Sequence, residues 1–186
     1  MTEKLEYVTY LLTSPESTLT QYANFATIAT SIVSILIALF ALYFTKTQIK
    51  NHDIHNKLTV RPYLNDSTFV DNGESTYSFS ITNKGTGPAI IRDAAIYIDG
   101  ELMTGEDPLE SAIMMISKGK PILAFGHETV AIGSYISPNE KIEIVTIQTK
   151  PEYSPTKMKQ AIRDSAYILI HYESIYGESF NYDSRV

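Results

Sequence analysis

The stretch NFATIATSIVSILIALFALYF, Asn24–Phe44, contains no Lys, Arg, Asp or Glu. As a helix rising about 1.5 Å per residue it would be about 31 Å long, close to the roughly 30 Å hydrocarbon core of a bilayer. A core helix of a globular protein keeps a polar face at 3.6-residue spacing. Between Ile32 and Phe44 the only polar groups are Ser34 and the Tyr43 hydroxyl, so no such face exists. A cleavable signal sequence has a short basic leader and a small-residue cleavage site. This leader is acidic, with Glu3, Glu6 and Glu16 against Lys4, and the run ends in Phe44-Thr45-Lys46. The stretch reads as one transmembrane helix over residues 24–45, with the lipid bilayer as its partner.

The flanks give an orientation. Lys46, Lys50, Lys57 and Arg61 follow the span with only Asp53 against them, and Lys4 alone precedes it. Basic residues beside a span favour the cytoplasmic side and attract anionic lipid. The expected placement is an inner-membrane, single-pass protein, N-terminus outside and C-terminal body in the cytoplasm. Along the span, Ala26, Thr30, Ser34 and Ala38 recur every fourth position. Small residues at that spacing allow close approach of two membrane helices, so self-association into a homo-oligomer is one reading. Ordinary membrane-helix composition is the other.

Outward from the span, residues 1–23 form an N-terminal segment in which Lys4–Leu12 suits an amphipathic helix and Ser14-Pro15 a helix start. Residues 46–59 read as a basic helical linker, stopped by Pro62. His52 and His55 on that linker are solvated side chains rather than a metal site, for want of a third ligand. From residue 60 the hydrophobic period changes to two. Strands are expected at Thr76–Thr82, Ala89–Asp99, Pro121–Phe125, Thr129–Ile136, Lys141–Gln148, Ala166–Glu173 and Glu178–Tyr182. Short helices are expected after Asp107-Pro108 and Ser154-Pro155. That pattern predicts a mainly β domain over residues 60–186, an antiparallel sandwich with short helical insertions.

Three segments carry a family likeness: HNKLTVRPYL (His55–Leu64), ITNKGTGPAII (Ile81–Ile91) and YESIYGESF (Tyr172–Phe180). Together with the preceding span they resemble uncharacterised bacterial single-pass membrane proteins bearing a C-terminal immunoglobulin-like β-sandwich. The Asn83–Ala89 segment is similar to a strand–turn–strand of bacterial immunoglobulin-like adhesion-type modules. The resemblance implies topology and fold and brings no catalytic residues with it.

Composition narrows the chemistry. Of 186 residues none is Cys, so disulfides, thiol catalysis and Cys-ligated metals are excluded. From Asp66 to Val186 there are 17 acidic and 10 basic residues, a net of −7, which argues against a nucleic-acid partner. No phosphate loop, zinc-protease helix or nucleophile elbow occurs. His127-Glu128 and His171-Tyr172-Glu173 are isolated. Asp99, Glu101, Glu106, Asp107 and Glu110 do not follow a calcium-loop spacing. No catalytic, cofactor or metal residue is therefore assigned. The expectation is a membrane-anchored, non-catalytic protein-binding or scaffold module. Its candidate partner surface is Leu109, Ile113, Met114 and Met115 in the insert Leu102–Gly119. The alternative is a small membrane effector of a bacterial defence or toxin-like system, oligomerising through its span.

Overall fold

The computed structural model describes residues 16–185. The expected amphipathic segment Lys4–Leu12 and the Ser14-Pro15 start lie outside the described residues. The chain divides into two compact units at Ile54/His55.

The described residues of the first unit all belong to one helix. Helix α1 covers Glu16–Thr59 and runs without a break through the apolar stretch and the basic linker. No Gly or Pro interrupts it, and Pro62 follows its end. One stretch of it is long and apolar enough to cross a membrane, and none of that stretch is buried by protein. Phe25, Ile32, Ile37, Phe40 and Phe44 are each at least half exposed, which disposes of the core-helix alternative. Its hydroxyls turn back on the helix. Thr30 Oγ1 donates to Ala26 O at 2.8 Å and Ser34 Oγ to Thr30 O at 2.8 Å.

The second unit holds two antiparallel sheets. The first contains β1 (Leu64–Asp71), β2 (Thr76–Asn83), β7 (Lys141–Thr149) and β5 (Ile122–His127), in the order β1-β2-β7-β5. The second contains β4 (Glu101–Leu102), β3 (Ala89–Ile98), β8 (Ala166–Glu173) and β9 (Ser179–Asp183), in the order β4-β3-β8-β9. A short strand β6 (Tyr135–Ile136) also pairs with β3. One hydrophobic cluster draws on both sheets, with Tyr77, Ile81, Ile144 and Ile147 from one and Ile91, Ile98, Ile170 and Tyr172 from the other.

Two helices are inserted. Helix α2 (Pro108–Ser117) joins β4 to β5, and α3 (Pro155–Ser165) joins β7 to β8. Both begin as their sequences demand. Asp107 accepts from Glu110 N, Ser154 accepts from Thr156 N, and each cap precedes a Pro at the first turn. Their apolar faces join the core: Leu109, Ala112, Ile113 and Ile116 from α2, Met158 from α3.

The mainly β expectation holds, with differences in detail. Strand β1 was not anticipated, because LNDSTFVD carries polar residues at most positions. It is an edge strand, paired on one side only and largely exposed. The expected strand Thr129–Ile136 shrinks to Tyr135–Ile136, and Gly133, at φ 85°, turns the chain just before it.

The Asn83–Ala89 segment has a definite physical role. Asn83 is fully buried. Its Oδ1 accepts from Tyr63 N at 3.1 Å and Gly85 N at 2.9 Å. Its Nδ2 donates to Gly87 O at 2.8 Å and Ile136 O at 2.9 Å. The turn lies so close to the chain leaving α1 that a Cβ on Gly87 would fall 1.8 Å from Val60 O, and one on Gly85 2.3 Å from Arg61 O. Thr86 N donates to Arg61 O and Lys84 N to Tyr63 O, closing the same seam. The glycines are there for space, since neither has a positive φ.

Candidate functional site: a cavity between the two sheets

A cavity of about 430 Å³ lies within the second unit. Its walls come from both sheets and both inserted helices. Tyr77 and Phe79 of β2 and Ile144 and Ile147 of β7 face it from one sheet, Ile96 and Ile98 of β3 and Ile168 of β8 from the other. Leu109, Ala112, Ile113 and Ile116 of α2 and Ile162 of α3 complete the apolar lining. Their spacing on α2 is i, i+3, i+4, i+7, one helical face.

The polar lining comes from Asp66 and Thr68 on β1, Lys159 and Arg163 on α3, and Ser184 and Arg185 after β9. Thr68, Arg163 and Arg185 are exposed, so this is where the cavity meets solvent. Lys159 and Arg163 stand four residues apart on one face of α3, beside the Met158–Ile162 stripe that points inward. Neither is paired with a carboxylate among the described residues. Arg185 is held in place. Its guanidinium lies 4.0 Å from the centre of the Tyr167 ring, and Tyr167 stacks on Tyr97 at 4.7 Å. Two of its nitrogens donate to Asp183, at 2.9 and 2.6 Å, and this contact holds the Asp183 carboxyl below the usual carboxylate range. Three cations against Asp66 make the cavity's polar lining net positive, within a stretch whose net charge is −7.

Asp66 acts on two neighbouring phenols. Burial, then the Asp66 charge, pushes Tyr77 up to about 12. The same two causes, in the same order, push Tyr182 higher still. Asp66 raises the Tyr182 phenol through its charge and then as a hydrogen-bond acceptor, although no partner meets that buried hydroxyl in ordinary hydrogen-bond geometry among the described residues.

The size of the cavity has an energetic meaning. Protein interiors leave few voids larger than a water molecule. This one opens to solvent at its polar end, so water can occupy that end, and only the apolar inner part offers water no partners. The volume also falls in the range of roughly 300–1,000 Å³ typical of small-molecule sites.

The remaining residues singled out in the sequence are distributed as follows. Leu109 and Ile113 are 6% and 3% exposed and line the cavity, so they are corrected from partner surface to interior wall. Met114 and Met115, on the other face of α2, are 56% and 54% exposed. Ala26, Thr30 and Ser34 line a shallow groove along α1, and Ala38 is exposed one turn further on. Lys46 and Lys50 are exposed and Lys57 half-buried on α1; Arg61 lies over the Phe180 ring at 4.9 Å. His127 Nε2 meets Asp107 Oδ2 at 2.7 Å. That carboxyl lies below the ordinary range, chiefly because Glu110 N donates to it and then because of His127. His171 is bonded to Asn181 across β8–β9 at 2.9 Å. Both histidines thus have structural partners, and no group of three or more His, Cys, Asp or Glu among the described residues could hold a metal ion. Sequence reading missed the cavity entirely; its one local signal was Lys159 and Arg163 flanking an apolar stripe. No protein-family model, curated protein or solved structure matches this chain.

Proposed function

We propose that this chain is a membrane-anchored binding module without catalytic activity. In this reading α1 is the single span of an inner membrane, with the N-terminus outside and the β-rich domain in the cytoplasm. The exposed, ion-free stretch of α1 supports the span, and the cations after it support the orientation. The strand orders support an immunoglobulin-like reading of the domain. Lettered along the chain, β1-β2-β7-β5 corresponds to A-B-E-D, and β4-β3-β8-β9 to C′-C-F-G. Helix α2 would then be an insertion before strand D.

The observation that carries the binding reading is α2 itself. Its inner face is locked into the core, while Met114 and Met115 stand side by side in solvent. Unbranched, polarizable Met side chains on a rigid helix adapt to a protein partner. A photoreactive amino acid at position 114 or 115 of the full chain, irradiated in intact membranes, should give one discrete hetero-adduct. The same label at Gln160 on α3 should not. Failure of both Met positions to give an adduct overturns this reading. The groove along Ala26, Thr30 and Ser34 favours a second reading, an effector that oligomerises through α1. Its hydroxyls are already bonded within the helix, so association would rest on close backbone packing. In that case Ser34→Leu and Ala38→Leu would relieve a growth arrest caused by the full chain.

A further inference from the structure

We propose that the cavity between the two sheets is a binding site for a fatty carboxylate, a single apolar chain ending in one anionic group. The inference does not depend on the protein-partner reading, which concerns the opposite face of α2. Three observations converge on this class of ligand.

The first is the lining. Half-buried Phe79, Ile96, Ile162 and Ile168 offer apolar surface from both sheets and α3, over a floor of buried Ile98, Ile113, Ile144 and Ile147. A polar or highly hydrogen-bonding ligand would lose its water there without recovering partners. A hydrocarbon chain recovers dispersion contacts and loses unfavourable hydration. The second is the charge at the solvent end. Lys159 and Arg163 have no carboxylate partner among the described residues, and Arg185 is braced by Tyr167 and paired with Asp183. With Asp66 and Asp183 both counted, the mouth carries one positive charge in excess, supplied by Lys159 and Arg163. The planar guanidinium fork matches a carboxylate in two parallel hydrogen bonds, and the ammonium adds a point charge. The third is the order of these features. The cations sit where the cavity reaches solvent and the branched aliphatics lie behind them, so the head would stay at the mouth and the chain would enter first.

The full chain is suited to a direct test. It would be reconstituted in phosphatidylcholine nanodiscs and exposed to a fatty acid bearing a mid-chain diazirine and a free carboxylate. Light-induced labels would be mapped by mass spectrometry, and competitors of equal chain length compared. Labels are expected on the peptides of β3, α2 and β7. Laurate should compete them away, whereas methyl laurate and dodecyltrimethylammonium should not. Lys159→Gln combined with Arg163→Gln should raise the laurate concentration for half competition by about tenfold or more, since two charge-assisted contacts are lost. Ile113→Trp should abolish labelling of the domain while leaving adventitious labelling of α1. If Ile113→Trp does not fold, the charge variant decides the matter, because both of its positions lie outside the buried stripe of α3. Labelling confined to α1, equal competition by the ester, or no effect of the double charge variant would each overturn the proposal.

Discussion

Asn83→Ala should be among the most damaging single substitutions in the domain, although Asn83 touches no part of the cavity. The side chain makes four hydrogen bonds with backbone, two as acceptor and two as donor, so its entire capacity is used. Removing it orphans the Gly87 carbonyl, in a buried bond, at about 1–3 kcal/mol, while Ile136 O loses one donor and keeps its ladder bond to β3. The N–H groups of Tyr63 and Gly85 are only part-buried and can turn to water, at roughly 0.5–1 kcal/mol each. A water entering the vacated volume would recover some of this, leaving a loss of about 2–4 kcal/mol. At a urea dependence of about 1–3 kcal/mol per molar, the midpoint should fall by about 2 M. The readout is pulse proteolysis of the full chain in non-ionic detergent across a urea series, scored on fragments of the β-rich domain. Asn83→Asp is the decisive companion. It keeps the acceptor for Tyr63 and Gly85 but sets a carboxylate oxygen against two carbonyls, so it should be no more stable than Asn83→Ala. A loss under about 1 kcal/mol for Asn83→Ala, or near-normal stability of Asn83→Asp, would refute the claim that this amide ties the turn together.

Four further outcomes are expected. Gly87→Ala should destabilise the domain severely, because its Cβ would fall 1.8 Å from Val60 O with only backbone to give way; the same proteolysis assay reads it. Tyr182→Phe should be neutral or stabilising by about 0.5–2 kcal/mol, since it removes a buried hydroxyl that has no partner; a clear loss of stability would show that the hydroxyl is satisfied in solution. Asp107 has a folded pKa below its ordinary 3.8, so its contribution is fully present above that value and is lost as pH falls through the lower folded value. Amide protection in the first turn of α2, measured relative to the intrinsic exchange rate at each pH, should therefore fall at acid pH in the natural chain and become less pH-dependent in Asp107→Asn, which keeps the capping oxygen. Ser154→Ala should cost about 1 kcal/mol through loss of the α3 cap, measured as a shift in the domain's urea midpoint.

How much of this could be read from the sequence follows from where the information resides. The long apolar helix, the caps at Asp107 and Ser154, and strands β2, β3, β7, β8 and β9 are legible because each is written in a short window: period, capping residue, turn dipeptide. Strand β1 was not legible, because an edge strand with one neighbour has no need of an apolar face along its whole length. Its clearest inward apolar residue is Leu64, held where Leu64 N donates to the Tyr172 hydroxyl from 108 residues away. Met114 and Met115 differ from Leu109 and Ile113 only in the phase of a ten-residue helix, too short a window to fix which face is inward from composition alone.

The cavity was illegible for a deeper reason. Ile96, Ile113 and Ile144 are ordinary core residues by composition, and nothing in their own neighbourhoods distinguishes a side chain that meets another from one that meets space. The difference lies in what other elements, distant in sequence, bring against each side chain. Sheets packed directly on each other interdigitate at about 10 Å and fill the gap with their own side chains. Here α2 and α3 both send apolar faces into the shared cluster, with α2 lying between β4 and β5 in sequence and α3 between β7 and β8. Leu109, Ala112, Ile113 and Ile116 of α2 and Ile162 of α3 complete the lining, so the site exists only where both inserted helices meet the sheets. Shortening Gly105–Gly119 to a simple turn removes Leu109, Ala112, Ile113 and Ile116 from the lining and should abolish fatty-acid labelling of the domain, without touching Lys159, Arg163 or Arg185.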